Sequence, residues 1–211
     1  MCVCEGGRLF ARRPLRNRAK ALLPLVFALA LTGCSLFRGP PPETFDLSAP
    51  ESIPSLKAGT AAQIMIPEPR ALKALDSERI VVTDGAKISY YPDAQWPDRL
   101  PKVFQAKAIQ AFEQSKRARA VGRPGEGLAI DYQLLIDIRS FEYVSDGDGG
   151  FARVEVSAKI LNDRNGRVVS TRILTGEAPV SRDSAASVVA GVDAALNDVL
   201  VELVSWTVKR I

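Results

Sequence analysis

Reactive side chains are scarce in this chain. It has three cysteines and no histidine in 211 residues, so the commonest general base and the commonest metal ligand are both missing. Asp, Glu, Lys and Tyr remain, but their spacing gives them little to do. Asp146-Gly147-Asp148-Gly149-Gly150 invites a calcium reading. An EF-hand loop needs ligands at alternate positions out to a bidentate Glu at the twelfth. Counted from Asp146, the twelfth residue is Ser157 and the tenth is Glu155, so the segment reads as a hairpin turn instead. Asp131 and Asp137 lie near one strand's polar face, about 20 Å apart at ~3.3 Å per residue. That is too far for two-carboxylate glycosidase chemistry. Gly-rich nucleotide loops and a Gly-x-Ser-x-Gly elbow are absent. Neither a catalytic constellation nor a metal site is visible.

Cys34 is the exception. Leu31-Thr32-Gly33-Cys34 resembles the bacterial lipobox, in which the cysteine sulfur receives a diacylglycerol and becomes the new N-terminus after cleavage. Small residues before the cleaved bond fit a narrow peptidase site, and only a thiol can form the thioether. Upstream, Arg8, Arg12, Arg13, Arg16, Arg18 and Lys20 form a positive segment. Ala21 to Leu31 is an uncharged apolar run, within the roughly 7–15 residues of a signal core and too short to span a bilayer. The rival reading, a chance tetrapeptide around an ordinary buried thiol, leaves both flanking segments unexplained. The pattern therefore predicts a lipoprotein signal over 1–33, with diacylglycerol and an N-acyl chain on Cys34 and no other cofactor.

Removing residues 1–33 changes the composition. The formal charge of +4 includes +5 from that segment (six Lys/Arg against Glu5), so the remaining 178 residues carry −1. The argument for a nucleic-acid partner, which a strongly basic chain would invite, disappears. Cys2 and Cys4 leave with the segment, and no thiol remains for a disulfide, a metal or a nucleophile.

Ser35 to Glu43, with Gly39 and Pro40-Pro41-Pro42, reads as an extended tether reaching at most ~25–30 Å. Residues 44–211 then read as one domain. Short strands are expected at Thr44–Leu47 and Ala61–Pro67, with a loop from Ala49 to Gly59. Arg79–Thr83 and Ala86–Tyr91 flank Asp84-Gly85, a strong two-residue hairpin signal. In Asp98–Lys116 the residues Leu100, Val103, Phe104, Ala108, Ala111 and Phe112 recur on one helical face. Asp98 is positioned to cap that helix, with Pro101 in its first turn. The basic run Lys116-Arg117-Ala118-Arg119 reads as a solvated C-terminal turn favoured by the helix dipole, with phosphate or lipid headgroup as the competing reading.

Three runs with period-two alternation follow: Leu128–Val144, Phe151–Leu161 and Arg167–Gly176. Asp146–Gly150 and Asn165-Gly166 supply the turns of a meander with one wet face. Asp183–Lys209 carries the stripe Val188, Val192, Leu196, Val199, Leu203 and Trp206, capped by Asp183 or Ser184. Gly191 within it suggests a close approach to the sheet. The expected fold class is α/β of the α+β type. It is a two-layer sandwich, a mostly antiparallel sheet with the C-terminal three-strand meander and two amphipathic helices on one face.

Tyr90-Tyr91-Pro92-Asp93-Ala94-Gln95-Trp96-Pro97 can simply fix a strand-to-helix connection. Tyr and Trp are also enriched at interfaces, which makes Tyr90, Tyr91 and Trp96 the candidate partner interface. The order of lipobox, Phe45-Asp46-Leu47, Ile64-Met65-Ile66-Pro67, Arg79-Ile80-Val81, Ile88 to Trp96, the Leu100 helix, the meander and the Trp206 helix resembles the ABC-type transport auxiliary lipoproteins. The resemblance covers essentially the whole chain after Cys34. It implies a non-enzymatic accessory lipoprotein of Mce-type intermembrane lipid transport, with no catalytic residues to carry over. The implied partners are a Mce-type substrate-binding protein, an ABC permease/ATPase complex and membrane lipid; homo-oligomerisation is left open. Ser35, where an Asp commonly signals inner-membrane retention, favours the periplasmic face of the outer membrane by sorting analogy. The alternative is an envelope-biogenesis lipoprotein that scaffolds or chaperones an outer-membrane protein.

Overall fold

The computed structural model describes residues 40–53, 59–147 and 149–211. The predicted signal segment, Cys34, most of the tether and Asp148 lie outside the described residues. The long alternating runs form the centre of the domain. β7 (Tyr132–Ser145), β8 (Gly150–Asn162) and β9 (Val168–Pro179) pair antiparallel as the meander, from Tyr132↔Asn162 to Ser145↔Gly150 and from Phe151↔Pro179 to Leu161↔Val168. Asp146 and Gly149 close the expected hairpin between β7 and β8. The Asp146 carboxylate accepts from Gly149 N at 2.9 Å, and Asp146 N donates to Gly149 O.

The opposite edge of β7 is shared by three short strands laid end to end, all parallel to it. β2 (Gln63–Met65) pairs with Tyr132 and Gln133, β3 (Arg70–Ala71) with Asp137 and Ile138, and β4 (Arg79–Asp84) with Glu142 to Val144. Outside them, β6 (Ala120–Gly122) joins β2 in parallel. β5 (Lys87–Gln95) joins β4 across the Asp84-Gly85 hairpin, with Gly85 at φ +57°, and β1 (Glu43–Thr44) adds to β5 at Ala94 and Gln95. The sheet is thus antiparallel along its long ladders and parallel along its short ones. β3 and β6 were not expected from the sequence, because two or three residues carry no readable period.

Inward alternation along β7 changes parity. Leu134, Ile136 and Ile138 are buried, then Phe141 and Tyr143, because the register against β8 shifts between Ile138 and Ser140. One extra residue in a strand turns every later side chain to the other face. The inward set of β8 is the one expected, with Val154, Val156, Ala158 and Ile160 buried. The other face is wet, laced by Arg139–Glu155, Arg153–Glu177 and Lys159–Asp137 pairs.

Helix α1 (Leu100–Ser115) starts after Arg99, which makes no side-chain cap, with Pro101 in its first turn. Asp98, expected as the cap, sits one residue too early; its carboxylate accepts from Arg99 N at 2.7 Å and pairs with Lys102. Helix α2 (Ala185–Arg210) is capped by Ser184, whose hydroxyl accepts from Ser187 N. It lies along β9 and β8 and touches α1, so both helices share the inner face. Their apolar stripes and the inner sheet positions form one core spanning Leu47 to Val208.

Two glycines set how close α2 can come. A Cβ on Gly191 would meet Val180 Cγ2 at 2.9 Å, and one on Gly176 would lie 2.2 Å from Ala195 O. The second obstacle is helix backbone, which cannot rotate away. Gly176→Ala is therefore expected to cost roughly 1–3 kcal/mol or more, read as a lower denaturant midpoint. Gly149→Ala, whose methyl would meet only Asp146 Oδ1 at 3.8 Å, should stay within about 0.5 kcal/mol.

Candidate functional site

The aromatic segment lies at the end of β5. Between Arg79↔Gln95 and Val81↔Tyr90 the register slips, so β5 carries extra residues there. Pro92 lacks an N–H to contribute, and Asp93 adopts φ +52°, a left-handed conformation that Asp tolerates better than most. Pro92 and Asp93 are exposed on the resulting bulge. Successive strand residues point to opposite faces, and the two tyrosines separate accordingly. The Arg79 guanidinium lies 3.4 Å from the centroid of the half-buried Tyr90 ring. The Tyr91 hydroxyl donates to Asp183 Oδ1 at 3.0 Å, just ahead of α2.

Trp96 is placed differently. It is 1% exposed, its ring meets Phe141 edge-on at 5.9 Å, and its backbone N–H donates to Glu78 O at 2.7 Å. It holds the connection from β5 into α1 and offers a partner no surface. The surface of this segment is Tyr90, Tyr91 and the bulge. Sequence reasoning missed Arg79 and Asp183 as their supports, although Pro92-Asp93 inside a strand pattern was a signal for the bulge.

Burial, then the hydrogen bond to Asp183, pushes the Tyr91 pKa up to about 12. A phenol whose folded pKa exceeds its unfolded value stabilises the fold fully below pH ~10, and that contribution is lost as pH rises toward ~12. Tyr91→Phe is expected to cost roughly 1 kcal/mol at neutral pH and to flatten this alkaline loss. Thermal unfolding from neutral to strongly alkaline pH checks both.

A second polar constellation fixes the chain just after β1. Asp46 pairs with Lys107 of α1 at 2.9 Å. Burial works to raise the Asp46 pKa, but Lys107 and Leu47 N–H outweigh it and hold it below the ordinary carboxylate range. Ser48 donates from its N–H and its hydroxyl to the Asp193 carboxylate of α2 and accepts from Asn197 Nδ2. Leu47 and Ala49 are buried between these anchors. The first residues of the domain are thus strapped to both helices. Among the described residues no group of three His, Cys, Asp or Glu is gathered for a metal ion. The carboxylates weighed above serve the fold: Asp131 binds Gln63 N and Arg164, and Asp137 pairs with Lys159.

A two-layer α+β domain with a strapped N-terminal segment defines the class of fold. Residues 45–204 match the family of ABC-type transport auxiliary lipoprotein components, and the chain belongs to that family. An uncharacterized protein of Bradyrhizobium diazoefficiens is 36% identical over 170 residues, 80% of this chain and 45% of its own length. The chain thus spans less than half of that relative. The crystal structure of a Xanthomonas campestris protein superposes with a TM-score of 0.73 at 29% identity, over 79% of this chain and 95% of that one. A Chlamydia trachomatis hypothetical protein shares the fold, with a TM-score of 0.53 at 9% identity over 72% of this chain and 98% of its own. Nearly all of the Xanthomonas chain is covered, and the core formed by the described residues falls within Pro42–Ile211, so this unit is expected to fold on its own.

Proposed function

We propose that the chain is a non-enzymatic, lipid-anchored component of a Mce-associated ABC-type intermembrane lipid transport system. It docks transporter subunits at the periplasmic face of the outer membrane. The family match over residues 45–204 carries this reading. The lipobox before Cys34 supports the anchor, and Ser35 supports outer-membrane sorting. Neither described helix is long and apolar enough to cross a membrane, and the attachment proposed is the lipid on Cys34. The docking surface is the bulged end of β5 with Tyr90 and Tyr91. Beyond Ala94 and Gln95, where β1 adds on, the outer edge of β5 has no strand partner among the described residues, so its backbone groups are available to an added strand.

Affinity purification of the full chain from detergent-solubilised membranes tests this. Permease, ATPase and Mce-type subunits are expected to co-elute, and the Tyr90→Ala/Tyr91→Ala variant should lose them while remaining in the membrane. Recovery of an outer-membrane protein without any transporter subunit would contradict the reading.

A further inference from the structure

Cations from three distant parts of the sequence meet at one end of the domain, where β7 begins. α1 ends there: Lys116 closes it in a left-handed conformation, and β6, which follows, runs beside β2 at the level of Tyr132. The β8–β9 turn lies at the same end, since Asn162 pairs with Tyr132 and Asp163 N donates to Asp131 O. α2 runs back along β9, with Ala195 at Gly176 and Glu202 on Arg172, so its last turn comes down beside Val168.

Lys116, Arg117, Arg119, Arg167, Lys209 and Arg210 are thereby gathered at one pole. Among the described residues none of the six has an ion-pair partner, whereas nearby Arg123 and Arg164 are paired with Glu126 and Asp131. Of the acidic groups here, Asp163 accepts from Gln133 Nε2 at 2.6 Å and Asp131 is held by Arg164, while Glu113 of α1 shares a pocket with Arg119 without an ion-pair partner among the described residues. The unit as a whole is not basic, so this is a concentration of charge rather than a general excess.

Two large apolar side chains stand out among these cations. Val168 is 55% and Val169 45% exposed, directly after Arg167. A cleft of about 380 Å³ opens along the last turns of α2, lined by Arg172, Glu202, Ser205, Trp206, Lys209 and Arg210. Unpaired cations around exposed aliphatic tips fit a surface that is anionic outside and apolar just beneath. An acidic protein face would satisfy the cations and leave the valines unexplained.

We propose that this pole rests on an anionic phospholipid surface, as a second membrane contact besides the anchor. The inference rests on the lipoprotein reading for its proximity to a bilayer. β1 lies level with Gln95 and Arg79, about eight residues of β7 above the pole, or ~25 Å at ~3.3 Å per residue. It runs toward the pole, being parallel to β5 and so antiparallel to β7. The tether, up to ~28 Å when extended, therefore turns back along the domain and brings Cys34 to the level of the pole only near full stretch. With the chain anchored, the second contact is intramolecular, so a weak intrinsic affinity suffices.

Co-sedimentation of the Pro42–Ile211 unit with vesicles tests the contact without Cys34 or any transporter, so its failure leaves the lipoprotein reading untouched. Binding is expected to vesicles containing phosphatidylglycerol and not to pure phosphatidylcholine, and to fall as added salt shortens the screening length. Each cation near an anionic surface contributes about a fivefold factor in affinity. Arg119→Gln/Arg167→Gln/Lys209→Gln, one change from each segment, should therefore weaken binding about 100-fold. Arg139→Gln/Arg153→Gln on the wet sheet face removes two cations away from the pole and should leave binding unchanged. Equal sedimentation with neutral and anionic vesicles, no sedimentation with anionic vesicles at low salt, or wild-type binding by the triple variant would each overturn the proposal. Absence of vesicle binding would point to an acidic protein instead.

Discussion

Trp96→Ala is expected to destabilise the domain by roughly 3–5 kcal/mol, about a fifth or more of the ~5–15 kcal/mol typical of a folded domain. The indole is 1% exposed and packs edge-on against Phe141, where β5 hands over to α1. Truncation removes its buried surface and leaves a cavity that the helix start cannot close, because Leu100 N is bonded to Ser77 O. Tyr90→Ala should cost far less. It loses a half-exposed ring and the Arg79 stack, an interaction of about 0.5–1 kcal/mol at such sites. Denaturant unfolding of the two variants separates framework from interface. A loss below ~1 kcal/mol for Trp96→Ala would show that the indole is not the keystone its burial makes it.

Cys34→Ser is expected to remove the chain from the outer-membrane fraction and to leave a precursor still carrying residues 1–33. The hydroxyl cannot accept the diacylglycerol as a thioether, and cleavage follows that step. The loss should be nearly complete. Lipid chains contribute about 0.8 kcal/mol per buried CH₂, and one chain alone binds only marginally, so stable attachment needs more than one. Ser35→Asp should keep the anchor and move the protein toward the inner membrane. Density-gradient fractionation with gel mobility reads both variants. Unchanged distribution and size for Cys34→Ser would exclude the lipobox reading.

The long periodic segments were legible because burial on one face imposes a repeating pattern on many residues. The meander, both helices, the Asp84-Gly85 hairpin and the close approach at Gly191 were all readable. What escaped depends on contacts between distant residues. β3 and β6 are strands only because β7 and β2 offer them an edge. The bulge at Arg139 is visible only in the register against β8. Ser48 and Asp193 lie 145 residues apart, and nothing local to either announces the strap. Trp96 shows the same limit from the other side, since an aromatic residue beside prolines does not say which way it points. The basic run at Lys116–Arg119 read as a solvated turn, and its company at Arg167 and Lys209 appears only once the chain is folded.

Everything proposed for this domain depends on its being held at a membrane through Cys34. Mass spectrometry of the N-terminal peptide, from protein purified out of native membranes, addresses that directly. The predicted species begins at Cys34 and carries a diacylglyceryl thioether and an N-acyl chain, with residues 1–33 gone. A chain beginning upstream of Cys34, with the thiol unmodified, would contradict it.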